Sequence, residues 1–215
     1  SGERSELSVH GATEALVALL LKSKNPAIVA GDDVARSGGE EALVALAEAI
    51  GATVWFEGLR HHAPFPTSHP SYRQSVPGDA RQVRKALGDT DLVLLIGGPF
   101  FEDIWFAPGG HIPDGAALLQ IEASAERLAL NNRLDAGIVG DIAVSLGALT
   151  DALRAKAGAA FRDAAQGRNA MLAELQRKEK DAYRARVEKG WDREPSSMPR
   201  VTAELRRSEE HTSEL

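Results

Sequence analysis

Four short sets of residues carry side chains and backbone suited to holding a phosphorylated ligand: Gly31-Asp32-Asp33, Glu57-Gly58, Gly97-Gly98-Pro99 and Glu122-Ala123-Ser124. Each ends an apolar run. Glycine at such a point lets the backbone approach a phosphate, and Glu122 could accept hydrogen bonds from a ribose. On this reading Gly31, Asp32, Gly97, Gly98 and Glu122 form the candidate nucleotide site. Against it, no Gly-x-Gly-x-x-Gly follows the first run, and Gly38-Gly39 comes too late to form that fingerprint. Glycines that only permit tight turns are the plainer reading. His61-His62 and His69 are the other groups able to move a proton. A metal site needs three or four ligands and a hydrolytic triad needs a nucleophile on a defined turn, and the spacing supplies neither. Loop packing or surface exposure is expected for all three histidines. Arg60 and Arg73 could bind phosphate or close a loop onto carbonyl oxygens. Trp55, Phe100, Phe101, Trp105 and Phe106 could build an aromatic pocket, but core and interface packing is expected of them. No catalytic residue and no metal ligand is assigned.

These residues need a frame, and hydropathy patterning supplies one. Leu16, Val17, Leu19, Leu20 and Leu21 fit a helix over Ala12–Leu21 that Asn25-Pro26 breaks. Ala27–Ala30 is short and wholly apolar, as a parallel strand buried on both faces should be. Further strands are predicted at Ala52–Phe56, Asp91–Ile96, Ala117–Ile121 and Gly137–Val139. Helices are predicted at Glu40–Ile50, closed by Gly51, and at Asp79–Leu87, Ser124–Leu130 and Ile142–Ala155. Between Phe56 and Gly78 the pattern stops, and Pro64-Phe65-Pro66-Thr67-Ser68-His69-Pro70-Ser71-Tyr72-Arg73 crosses the gap. Prolines fix φ and hold the preceding residues extended, which predicts a shaped crossing. Strands alternating with helices predict an α/β fold with a parallel sheet and helices on both faces. From Arg162 to Arg193 charged residues dominate, and Leu172, Leu175, Tyr183, Val187 and Trp191 form a narrow stripe. That predicts a long C-terminal surface helix laid over the domain, followed by a linker at Asp192–Pro199.

The chain of 215 residues is 43% hydrophobic and 26% charged, which suits one sizeable globular domain with an appendage. The net charge of −6 argues against nucleic acid as the main partner, and no apolar run is long enough to span a bilayer. There is no cysteine, so disulfides, thiolate metal sites and a cysteine nucleophile are excluded, and a cytoplasmic location is expected.

Asn25-Pro26-Ala27-Ile28-Val29-Ala30-Gly31-Asp32, the proline-paced crossing and Asp91-Leu92-Val93-Leu94-Leu95-Ile96-Gly97 together resemble the central domain of thiamine-diphosphate-dependent enzymes. Phe65-Pro66-Thr67, His69-Pro70 and Arg73 resemble the loop of the benzoylformate decarboxylase group. Ile121 through Glu126 resembles the family's segment after strand four, with Glu122 and Ser124 in place of its usual aspartates. The likeness runs roughly from Asn25 to Leu205. It implies a three-layer Rossmann-like fold. It also implies a parent enzyme that decarboxylates an aryl or branched 2-oxoacid with thiamine diphosphate and Mg, both bound outside this segment. In the wider family this domain holds FAD in acetolactate synthases and pyruvate oxidases, ADP in oxalyl-CoA decarboxylases, and no cofactor in benzoylformate decarboxylases. A free-standing nucleotide-binding domain is the alternative from another class.

The resemblance places the chemistry in an N-terminal domain with an activating glutamate and in a C-terminal domain with a Gly-Asp-Gly motif ending in paired asparagines. The Gly-Asp pairs at Gly31, Gly78, Gly88 and Gly140 are never followed by glycine, and Asn131-Asn132 stands without that context. The expected partners are therefore the missing N- and C-terminal domains, within a homo-oligomer, a tetramer when complete. The expected organisation is a central domain at 1–157, a helical extension and linker at 158–198, and the start of a truncated C-terminal domain at 199–206. Met198 stands where family members often carry a histidine before that domain's proline. Arg207–Leu215 resembles translated sequencing adapter, which implies an open reading frame running off a fragment.

Overall fold

The computed structural model describes residues 9–102, 109–191 and 197–212, so Trp105, Phe106 and most of the Asp192–Pro199 linker lie outside the described residues. Two compact units divide between Leu172 and Ala173.

The first unit is built on a six-stranded sheet in which all neighbours pair parallel: β1 (Pro26–Ala30), β2 (Thr53–Phe56), β3 (Tyr72–Ser75), β4 (Leu92–Ile96), β5 (Ala117–Glu122) and β6 (Ala136–Val139). The order across the sheet is β3-β2-β1-β4-β5-β6. The chain thus winds outward from β1 in one direction and from β4 in the other, the doubly wound arrangement. Ile28 pairs with Val54 on one side and Leu94 on the other, and Leu94 pairs in turn with Leu119.

Successive strand residues alternate between two cores, as the two-residue period of a strand requires. Ile28, Ala30, Leu92, Leu94 and Ile96 join α1 (Val9–Leu20), α3 (Glu40–Ile50) and α5 (Ile142–Lys156) on one face. Ala27, Val29, Val93 and Leu95 join α4 (Ala80–Leu87), Phe100 and Phe101 on the other. Helix ends follow local chemistry. The Asp79 and Asp141 carboxylates accept from the Gln82 and Val144 amides to start α4 and α5. Gly51 closes α3 at φ 60°, with the Ala165 carbonyl oxygen 2.6 Å from where a Cβ would stand. Arg168 and Asn169, from the first third of α6 (Ala159–Lys189), donate to the carbonyls of Ile50, Gly51 and Glu48 at that end.

Three expectations are corrected. First, β3 follows the proline loop, so that loop is itself the crossover between two parallel strands. Tyr72–Ser75 is an edge strand of intermediate and exposed residues, without the apolar run that marks the central strands. Second, a one-turn helix, α2 (Asp32–Arg36), opens directly after Gly31. Third, Ser124–Leu130 is a chain of turns and not a helix. The Ser124 hydroxyl accepts from the Glu126 amide, and the Gln120 side chain takes the Arg127 carbonyl and the Ala129 amide that a helix would use. Ala129 turns to φ 59° as a result of this path.

In the second unit, α6 continues to Lys189 and α7 spans Met198–Thr212. Tyr183 reaches the Pro199 carbonyl at 3.4 Å, and the Arg200 guanidinium lies 5.1 Å from the Trp191 ring centre. Of the predicted stripe in this unit only Val187 is buried, while Leu175 is exposed.

Candidate functional site

β1 and β4 are adjacent, and each is followed by glycine. The chain leaves β1 toward β2 and leaves β4 toward β5, so this junction is the switch point at which an open α/β sheet offers its ligand crevice. Gly31, Asp32, Gly97, Gly98 and Glu122 all meet here, as their positions at strand ends require. Their packing is close. A Cβ on Gly31 would stand 2.6 Å from the Gly97 carbonyl oxygen and 3.0 Å from the Gly98 Cα. Gly97 has φ +69°, and its own Cβ would meet the Val34 nitrogen at 3.0 Å. The glycines therefore bring two backbone segments, 31–34 and 97–98, into contact. The amides are also in use: Gly31 donates to the Ile96 carbonyl at 2.9 Å, Asp33 to Gly97 at 2.8 Å, and Gly97 to Ile121 at 3.0 Å.

Asp32 is buried and turned onto the loop after β2. Its carboxylate accepts from the His61 and His62 amides at 2.9–3.0 Å and lies 3.3 Å from the His61 ring nitrogen. Burial alone would raise its pKa, but the two amides, the His61 ring and the Arg36 charge outweigh burial and hold the carboxyl below its usual value.

Glu122 is wholly buried. Its Oε1 accepts from the Gln120 side-chain amide at 3.0 Å and the Gly98 amide at 3.3 Å, while Oε2 has no hydrogen-bond partner among the described residues and faces the Arg127 Nε at 3.5 Å. Burial dominates and raises this carboxyl above its usual value, against the pull of Gln120 and Arg127. Arg127 also pairs with the Asp33 carboxylate, which Arg36 meets from its other side at 2.9 Å. The strand-end residues are thus tied into one ionic network. Arg127 and Gln120 were not singled out from the sequence. Gln120 is the legible one, a polar residue two positions before Glu122 and therefore on the same face of an otherwise apolar strand. A narrow cleft beside Arg127, lined also by Gly98, Phe100, Leu130 and Asn131, has room for about one water.

A second acidic residue stands at the carboxyl end of β2. Glu57 is buried and raised above its usual value by burial, with the nearby Glu102 adding to the shift. Its carboxylate accepts from the amides of Gly58, Leu59 and, at 3.4 Å, Phe101. It borders an open groove of about 240 Å³ with Ser75, Val76 and Pro77.

The histidines and arginines of the crossing serve its shape. The His69 Nδ1 accepts from the Ser71 amide at 3.1 Å, its Nε2 lies 3.3 Å from the Glu48 carboxylate, and its ring meets Phe65 edge-on at 4.9 Å. Phe65 is 1% exposed and belongs to the main core, so the loop is anchored through its own aromatic ring. Arg60 donates to the Ser75 hydroxyl at 2.7 Å and covers the Phe56 ring, and Arg73 lies in β3. Phe100 and Phe101 are core residues, with Phe101 stacked on His111 at 4.5 Å. Among the described residues no group of three or more His, Asp or Glu side chains could hold a metal ion, and no helix is long and apolar enough to cross a membrane.

A family model described as the thiamine pyrophosphate enzyme central domain matches residues 13–149. The benzoylformate decarboxylase of Pseudomonas aeruginosa is 36% identical over 138 residues, covering 64% of this chain and 26% of that protein. A sulfoacetaldehyde acetyltransferase of Alcaligenes xylosoxydans xylosoxydans is 32% identical over 150 residues, covering 65% of this chain and 23% of that protein. Among solved structures, the thiamine diphosphate-dependent 4-hydroxybenzoylformate decarboxylase of Rhodococcus jostii superposes with a TM-score of 0.62 at 28% identity, over 71% of this chain and 29% of that one. The benzoylformate decarboxylase of Polynucleobacter necessarius gives 0.61 at 28% identity, over 67% and 27%. The chain spans about a quarter of the length of the curated relatives it matches. With the doubly wound sheet, the glycine-lined switch point and a match across residues 13–149, the chain belongs to the family of thiamine pyrophosphate enzyme central domains.

Proposed function

We propose that this chain is the central, mainly structural domain of a thiamine diphosphate- and Mg-dependent 2-oxoacid decarboxylase of benzoylformate decarboxylase type. The observation that carries the reading is the 36% identity with the Pseudomonas aeruginosa benzoylformate decarboxylase across 138 residues. The internal use of the polar side chains agrees with it: Asp32, Glu57, His69 and Arg60 each hold a loop of this domain. In the complete cytoplasmic enzyme the cofactor supplies the electron sink for decarboxylation. This domain's share is to keep N- and C-terminal domains in register within a homo-tetramer, a case of activity residing in a site and not in a fold. The organisation into a central domain, a helical extension and the opening of a C-terminal domain belongs to this reading, as does the adapter-like character of residues 207–215.

Two measurements test it. Resequencing the locus should show a different codon run from Arg207 onward that continues to a Gly-Asp-Gly motif ending in paired asparagines. Genuine codons running from Arg207 to a stop without that motif would sink the reading. Calorimetric titration of the purified chain with thiamine diphosphate and Mg should give no saturable heat, and micromolar binding would put the cofactor in this segment. The competing reading, an FAD- or ADP-binding central domain of acetolactate synthase or oxalyl-CoA decarboxylase type, draws its support from the strand order and from Glu57 at the end of β2, where a ribose-binding acid is expected.

A further inference from the structure

We propose that the switch-point crevice is filled from within by the ionic network of Asp33, Arg127 and Glu122, which takes the place of a bound nucleotide and excludes one. The inference stands on these residues alone and does not depend on which substrate the parent enzyme uses.

Space comes first. Gly31 lies against Gly97 and Gly98 so closely that one added carbon would meet the Gly97 carbonyl oxygen at 2.6 Å, and the cleft beside Gly98 and Arg127 has room for about one water, far less than a pyrophosphate needs. Donors come second. A dinucleotide needs free amides at the first turn of the helix after β1. Here that helix is α2, a single turn, with the Asp33 amide given to Gly97 at 2.8 Å and the Val34 amide to Gly31 at 3.3 Å. Charge comes third. The first turn of α2 carries Asp32 and Asp33, and Glu122 faces them from β5. Arg36 and Arg127 are the cations among them, and the His61 and His62 rings approach Asp32 at 3.3 and 3.9 Å. Three carboxylates thus meet two guanidinium groups, and a polyphosphate would bring further negative charge against them.

Arg127 makes this arrangement a latch. It comes from the turn that replaces the predicted helix after β5, and it spans from Glu122 to Asp33, so it ties the end of β5 to the start of α2 across β4. A bound nucleotide would join the same elements. The acids that could hold a ribose are spent too: Glu122 faces Gln120, Gly98 and Arg127, and the Glu57 carboxylate faces the amides of Gly58, Leu59 and Phe101.

The test has two arms. Titration of the unaltered chain with ADP and with FAD should show no saturable binding up to roughly 1 mM. Micromolar binding of either overturns the proposal and favours the FAD- or ADP-binding reading of the parent enzyme, whereas the decarboxylase reading fails by itself only in the resequencing and thiamine diphosphate tests. In the second arm, Asp33→Asn and Arg127→Met should each lower the melting temperature by roughly 5 °C or more, with the double variant no worse than the poorer single. Additive losses would overturn the latch. The ADP and FAD arm needs no variant, so it decides the exclusion even where a substitution prevents folding.

Discussion

The two ends of the sheet's centre each carry a carboxylate, Asp91 before β4 and Glu122 at the close of β5, and the two are treated oppositely. At the amino end Asp91 accepts from the Ser23 hydroxyl at 2.5 Å and from the Lys24 and Asn25 amides at 2.7 and 3.0 Å. Burial would raise its pKa, but these bonds outweigh burial and hold it below its usual value. At the carboxyl end Glu122 receives one side-chain amide and one longer backbone amide, its second oxygen has no hydrogen-bond donor among the described residues, and burial wins. The difference lies in the supply of donors. A turn entering a strand presents consecutive free amides that one carboxylate can collect, whereas the strand ends at the switch point have already spent theirs on each other. The amino end is therefore a structural clamp that is complete in itself. The carboxyl end needs the Arg127 charge to hold a carboxylate that its surroundings would rather protonate.

The largest expected effect breaks the clamp. Asp91→Ala strands three donors and should cost about 3 kcal/mol in urea unfolding. A loss below about 1 kcal/mol would mean that water replaces the carboxylate without penalty. The wild-type contribution of Asp91 has a defined sign with pH. Because its folded pKa is depressed, the stabilisation is complete above the usual aspartate range and disappears as pH falls through the folded value.

Next in size is the close contact at the switch point. Gly31→Ala should destabilise by about 2 kcal/mol, since its Cβ would meet the backbone of Gly97 and not a side chain that can turn away. Gly78→Ala, with nothing within 4 Å of its Cβ, is the matched control and should be near neutral in the same melt.

The smallest effect is the most diagnostic. Glu122→Gln removes a charge that burial opposes while keeping the shape, and should change stability by less than about 1 kcal/mol near neutral pH. The sign with pH is opposite to that of Asp91. A raised folded pKa means that the wild type binds its proton more tightly when folded, so it loses stability as pH rises from the unfolded value through the folded one. The glutamine variant should lack that decline, and the difference between the two should widen over that interval in unfolding titrations. Parallel curves would show that Glu122 is solvated like a surface acid.

Much of the fold was legible because it rests on local chemistry. The apolar runs Ala27–Ala30 and Leu92–Ile96 could only be buried strands, Gly51 closes α3 where a left-handed residue is needed, and Asp79 and Asp141 cap the helices they precede. β3 escaped notice because an edge strand with one covered face needs no hydrophobic run. The turn at Ser124–Leu130 escaped for another reason. Its helical pattern was overruled by Gln120, a strand residue whose side chain captures the turn's backbone groups. The five candidate residues were correctly gathered at strand ends, yet the use made of them was not readable there.

By itself the sequence determined the alternation of strands and helices, the positions of the turn glycines and the likeness to a family, because periodicity, caps and proline stiffness act over a few residues. Only the tertiary structure decided whether the switch point is open or shut. That outcome depends on Gly31 meeting Gly97 across two strands and on Arg127 reaching Asp33 across 94 positions of chain, contacts that no local pattern encodes.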